Sequence, residues 1–149
     1  FELERDLARR LTSLHRAVNE IRDLRAQLNA LGARYRNAAA WQPLKPLAEE
    51  LLKKIGAVEE NVIQTRMKST EGDLRYPTMI DEQLISLSWG VDGADAPPTD
   101  GQQRLFAELS GKLQEQLNQW DKILSVDLTG FTRTAERQKI PVVEVGNRK

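Results

Sequence analysis

The sequence has no cysteine and a single histidine, His15. The first absence removes disulfides, thiolate zinc sites and cysteine nucleophiles together. It leaves the redox compartment open, because a cysteine-free chain is stable in either. With His15 alone, neither a histidine-rich zinc site nor the paired Glu-x-x-His ligands of a di-iron bundle can be assembled. Excess charge of either sign is missing too: 22 lysines and arginines balance 22 aspartates and glutamates, with a pI near 6.8. That balance offers no electrostatic reason to bind nucleic acid or an anionic membrane. No run approaches the ~20 apolar residues of a membrane span. The charged start Phe1-Glu2-Leu3-Glu4-Arg5-Asp6 is no secretory signal core. As the chain starts without methionine and in helical character, it reads as a piece of something longer.

What is present is periodic. Leu7, Leu11, Leu14, Val18, Ile21 and Leu28 recur at spacings that hold one face of an α-helix apolar. A second stripe runs through Leu47, Leu51, Ile55, Val58 and Val62. A third comprises Leu105, Leu109, Leu113, Leu117, Trp120, Leu124 and Phe131. Each stripe needs another helix to cover it. The expectation is an all-α, elongated helical bundle of three long helices plus one short helix over residues 1–139, with an extended tail at 140–149. At 149 residues such a chain buries roughly two thirds of its unfolded surface, enough to fold without staples.

Punctuation sets the boundaries. High propensity and no proline predict a first helix from about Glu2 to Ala39. Pro43 and Pro46 break it, because proline is tolerated only in a first helical turn or a loop. A second helix then reaches about Lys68, and Ser69-Thr70-Glu71-Gly72-Asp73 makes a turn. A short helix from about Thr78 to Trp89 buries Ile80, Leu84 and Leu87. Asp92 to Pro98 forms a loop. Thr99 and Gln102 stand at capping-box spacing and start the last helix, which runs to about Arg137 with Gly111 and Gly130 as weak points. Ile140-Pro141-Val142-Val143-Glu144-Val145 is β-prone without a partner strand, and so docks on the bundle or on another domain, or frays.

No reactive constellation emerges. His15 reads as a boundary residue beside the first stripe. Glu49-Glu50, Glu59-Glu60 and Asp81-Glu82 are adjacent on helices, so their carboxylates diverge and make surface charge. Asp92, Asp95 and Asp100 lack the alternating ligands and distal glutamate of an EF-hand. Catalytic, cofactor and metal sites are therefore expected to be absent. Trp120 belongs to the third stripe and to the core. Trp41 and Trp89 lie near helix ends, where a tryptophan plugs the bundle or anchors an interface, and these two are the candidate interface residues.

From Arg10 to about Val143 the chain resembles the C-terminal helical region of large bacterial sortilin-like proteins with BNR (sialidase-type) repeats, often labelled glycosyl hydrolases. The likeness is carried by Leu11-Thr12-Ser13-Leu14-His15, Ala17-Val18-Asn19, Leu74-Arg75-Tyr76-Pro77, Leu84 to Leu87, Ala96-Pro97-Pro98-Thr99, Phe106-Ala107-Glu108-Leu109, and Asp127-Leu128 with Phe131. The resemblance implies a secreted, periplasmic or cell-surface protein with an upstream β-propeller. Partners would be that propeller or a second copy, and no catalytic residue is carried onto this chain. The alternative from the residues alone is a free-standing bundle adaptor that binds a partner helix or self-associates. The capping box gives a direct check: Thr99→Ala leaves a helix N–H unsatisfied and should cost ~1 kcal/mol in a denaturant titration.

Overall fold

In a computed structural model of the chain, residues 2–63, 79–94, 96–141 and 143–146 are described. Among them every regular element is helical. The helices are α1 (Glu2–Tyr35), α2 (Lys45–Val62), α3 (Ile80–Asp92), α4 (Asp100–Lys122) and α5 (Thr129–Arg137). A 3₁₀ turn, Ala39–Trp41, precedes α2, and a π-helical stretch, Ile123–Leu128, joins α4 to α5 without a break. The fold is an all-α bundle, as expected. The turn cluster at 69–73, the Leu74 to Pro77 segment and the expected extension of α2 to Lys68 lie outside the described residues. The chain packs as two compact units, residues 1–16 with 59–118 and residues 17–58 with 119–149. The tail belongs to the second.

In the first unit Leu7 and Leu14 of α1, Val62 of α2, Leu84 and Val91 of α3, and Leu109 and Leu113 of α4 are buried. The capping box forms in full. The Gln102 N–H donates to Thr99 Oγ1 at 3.0 Å and the Thr99 N–H donates to Gln102 Oε1 at 2.9 Å, which satisfies two donors at the start of α4. Leu105, counted in the third stripe, is 41 % exposed instead, so the buried edge of α4 begins at Leu109.

The second unit departs from simple periodicity at three places. First, α1 ends at Tyr35 although Ala38-Ala39-Ala40 favours helix. Trp41 is the reason: it is only 5 % exposed, with its ring edge-on to Phe131 at 6.3 Å and 74°. Seating it requires the chain to turn back, and burial of an indole outweighs a few tenths of a kcal/mol of alanine propensity. The turn also shifts the second stripe. Leu44 and Ala48 face inward with Leu51, Ile55 and Val58, while Leu47 points outward.

Second, the buried positions Trp120, Ile123, Leu128, Phe131 and Ala135 contain one step of five, from Ile123 to Leu128. The π-helical stretch absorbs that extra residue. Leu124, placed in the stripe by a regular period, is consequently only half-buried. Asp127, which a regular helix would turn inward four residues after Ile123, instead takes a hydrogen bond from Lys54 Nζ at 2.7 Å. The Thr129 hydroxyl donates to the Leu124 carbonyl at 3.4 Å, giving a loosened carbonyl a partner.

Third, α5 ends in a Schellman motif with Lys139 in the left-handed region at φ 58°. The Ile140 N–H reaches the Ala135 carbonyl at 2.9 Å and the Lys139 N–H reaches Glu136 at 3.1 Å, and both Ile140 and Ala135 are buried. The chain is thereby redirected, and Val143 is buried against the bundle. The tail docks.

Trp120 lies at the centre of this unit, fully buried, with its indole N–H donating to Glu20 Oε1 at 3.3 Å. Trp120→Ala should cost ~3–5 kcal/mol. Trp120→Phe keeps most of the apolar volume but removes a donor from a buried carboxylate, for ~1–3 kcal/mol. Urea unfolding of both variants measures the two contributions separately.

Candidate groove in the first unit

The residues singled out as chemically reactive do not gather. His15 is exposed on α1. Among the described residues no three histidine, aspartate or glutamate side chains stand where they could share a metal ion. Asp92 and Asp100 are exposed, and Asp95 lies outside the described residues.

Asp81, in the first turn of α3, is the acid whose surroundings matter most. Its Oδ1 is buried without a hydrogen-bond partner. Burial raises its pKa above the usual carboxylate value, against the opposing effects of the Glu82 N–H, the His15 charge and its own N–H. One strained carboxylate is not an acid–base pair.

The surface that offers binding chemistry lies between α3 and α4. Leu87, Gly90, Leu105 and Leu109 form the apolar part of an open groove of about 620 Å³. Gln83, Ser86, Gln102, Glu108 and Lys112 complete its lining. The capping box positions one wall. Gln102 is held by its bond to Thr99, and its Nε2 lies 3.6 Å from where a Cβ on Gly90 would sit. Glu108 and Lys112 pair with each other at 3.3 Å, so the charges in the lining cancel locally. The groove therefore presents an apolar floor and a neutral, hydrogen-bonding rim. Nothing in this lining favours a ligand of net charge.

The two candidate tryptophans separate cleanly. Trp89 is 72 % exposed on α3, on the opposite side from Ile80, Leu84, Leu87 and Val91. Trp41 is buried against Phe131 in the second unit and leaves only 5 % of its surface exposed. Its flank borders a shallow recess with Gly32, Lys45 and Leu52. Residue patterning also missed the groove, because Leu105 continues the heptad-like stripe and nothing local marks it as lying beyond the buried edge.

Among the described residues no helix is long and apolar enough to cross a membrane. In comparisons with protein families, with curated proteins and with solved structures, nothing matches the chain.

Asp81 gives the pH test. A carboxyl whose pKa is raised on folding holds its proton more tightly in the native state, so its contribution to stability falls as pH rises from the ordinary carboxylate value through the raised one. Asp81→Asn should accordingly raise the melting temperature at pH 7 and reduce the loss of stability across that window, measured by thermal melts from pH 4 to 7.

Proposed function

We propose that this chain is a non-catalytic helical interaction domain whose α3–α4 groove is its contact face. One observation carries the reading: Leu105 stands 41 % exposed over an apolar floor of Leu87, Gly90 and Leu109, in a lining whose charges neutralise each other. Leu105, unlike the buried Leu87 and Leu109 beneath it, leaves apolar area in water, and covering that area is favourable by roughly 25 cal/mol per Å², so a partner's apolar edge gains by seating there. Trp89, exposed on another side of α3 and outside the groove's lining, is a separate candidate anchor of the residue type most enriched at interfaces.

The resemblance to the helical region of sortilin-like BNR-repeat proteins supports the finer reading, a C-terminal appendage of a secreted or surface propeller protein. Those of its carrier residues that are described act as structure. Thr99 caps α4, Leu109 and Phe131 are buried, and Leu84 to Leu87 contribute to the inward edge of α3. On this reading the upstream propeller or a second copy is the partner, and substrate chemistry belongs elsewhere in the parent.

A photo-crosslinking amino acid at position 105 of the parent protein, expressed in its own host, tests the contact face. An adduct with a polypeptide, in the same chain or another, is expected. Irradiation that yields no adduct overturns the interaction reading, and turnover of a glycoside by the 149-residue chain overturns its non-catalytic part. Trp89→Ala, outside the groove's lining, should leave the adduct in place and change folding stability by no more than about 0.5 kcal/mol, as for other surface substitutions.

A further inference from the structure

A second binding site lies in the other unit, around Gln27 of α1. The Gln27 side-chain amide makes a paired contact with one tail residue: its Nε2 donates to the Glu144 carbonyl at 2.5 Å, and its Oε1 accepts from the Glu144 N–H at 3.1 Å. The remaining Nε2 hydrogen goes to Asp23 Oδ2 at 2.8 Å, one turn back on the same helix. Asp23 can only accept, so it fixes which end of the amide faces the tail. Gln27 thus offers the donor and acceptor that a neighbouring β-strand would offer, and it reads main chain without regard to side chain.

Side-chain selection comes from the flanks. Val143, one residue earlier, is 5 % exposed and borders a recess of about 230 Å³ with Gln27, Ala30, Leu31 and Arg34. Two residues after Glu144, Gly146 adopts φ +55°, and a Cβ there would stand 3.1 Å from Glu20 Oε2. That oxygen belongs to a carboxylate held by Trp120 in the core, so it is poorly placed to yield. Glycine is therefore favoured at position 146 on two separate grounds.

We propose that this face of α1 is a binding site for an extended peptide strand of the form branched apolar residue, two residues, glycine, and that the chain's own Val143-Glu144-Val145-Gly146 fills it. Among the described residues beyond the Schellman turn, one tail side chain is buried and one tail residue is paired with Gln27. So few contacts place it among the segments that open first, and an incoming strand of the same form can replace it.

The test uses the full chain with Val143→Asp, which unseats the tail and leaves the α1 face intact, and a fluorescent peptide of residues 138–149. Anisotropy should show saturable binding. The same peptide with Gly146→Ala should bind roughly tenfold more weakly, the cost of a left-handed non-glycine residue. Adding Gln27→Ala to the receptor should abolish binding. The unmodified chain should bind less well than Val143→Asp, because its tethered tail competes at an effective concentration of roughly millimolar. No binding by the tail-released chain, equal binding by the unmodified chain, or binding indifferent to both Gln27 and Gly146 would overturn the site. Should Val143→Asp lose its helical circular dichroism, Val143→Ser serves as the receptor.

Discussion

Each helix of this chain can bury only one edge, and the choice of that edge governs the rest. On α1, Leu14 is fully buried while His15 and Arg16 face water, and Leu24 is fully buried beside exposed Arg22 and Asp23. One or two residues inward per turn suffice, because a buried leucine or isoleucine contributes roughly 1.5–3 kcal/mol. The polar faces then settle by spacing alone, as in the Asp6–Arg9 and Glu108–Lys112 pairs, which contribute only tenths of a kcal/mol. Where the inward edge and a regular helix disagree, the edge prevails. Trp41 ends α1 among alanines, and the step from Ile123 to Leu128 converts one stretch to π geometry.

Those two places mark the limit of what could be read from the residues. Fold class, the four helical segments, the cap at Thr99 and Gln102 and the burial of Trp120 follow from period and punctuation, which are local properties. The inward turn of Leu44 instead of Leu47 does not, since it depends on where Trp41 seats, and that is decided by Phe131, ninety residues away in sequence. The π stretch left no trace in the sequence, since Leu124 and Phe131 stand seven residues apart, in phase on one face of a regular helix. Neither binding surface was legible. The α3–α4 groove needs the distance between two helices, and the Gln27 site needs residues more than a hundred positions apart.

The two surfaces use different physics. The groove offers area and a neutral rim, so its selectivity rests on shape, whereas the α1 site offers a fixed donor–acceptor pair with a glycine requirement and selects conformation before composition. A chain of zero net charge, with no metal-ligand set among its described residues, would discriminate among partners by such means. Nothing in either surface requires a reacting group.

The π-helical stretch carries a consequence for how the chain can vary in length. Ile123–Leu128 holds one residue more than an α-helix needs to bring Phe131 and Ala135 into line with Trp120. Removing any one of the residues 124–127 would let the backbone relax to ordinary helix with the downstream side chains still in phase. One missing residue in most other helical interiors rotates everything after it by about 100°. This segment is therefore the place in the second unit where a deletion is absorbed instead of propagated, at the cost of the outward turn that brings Asp127 to Lys54.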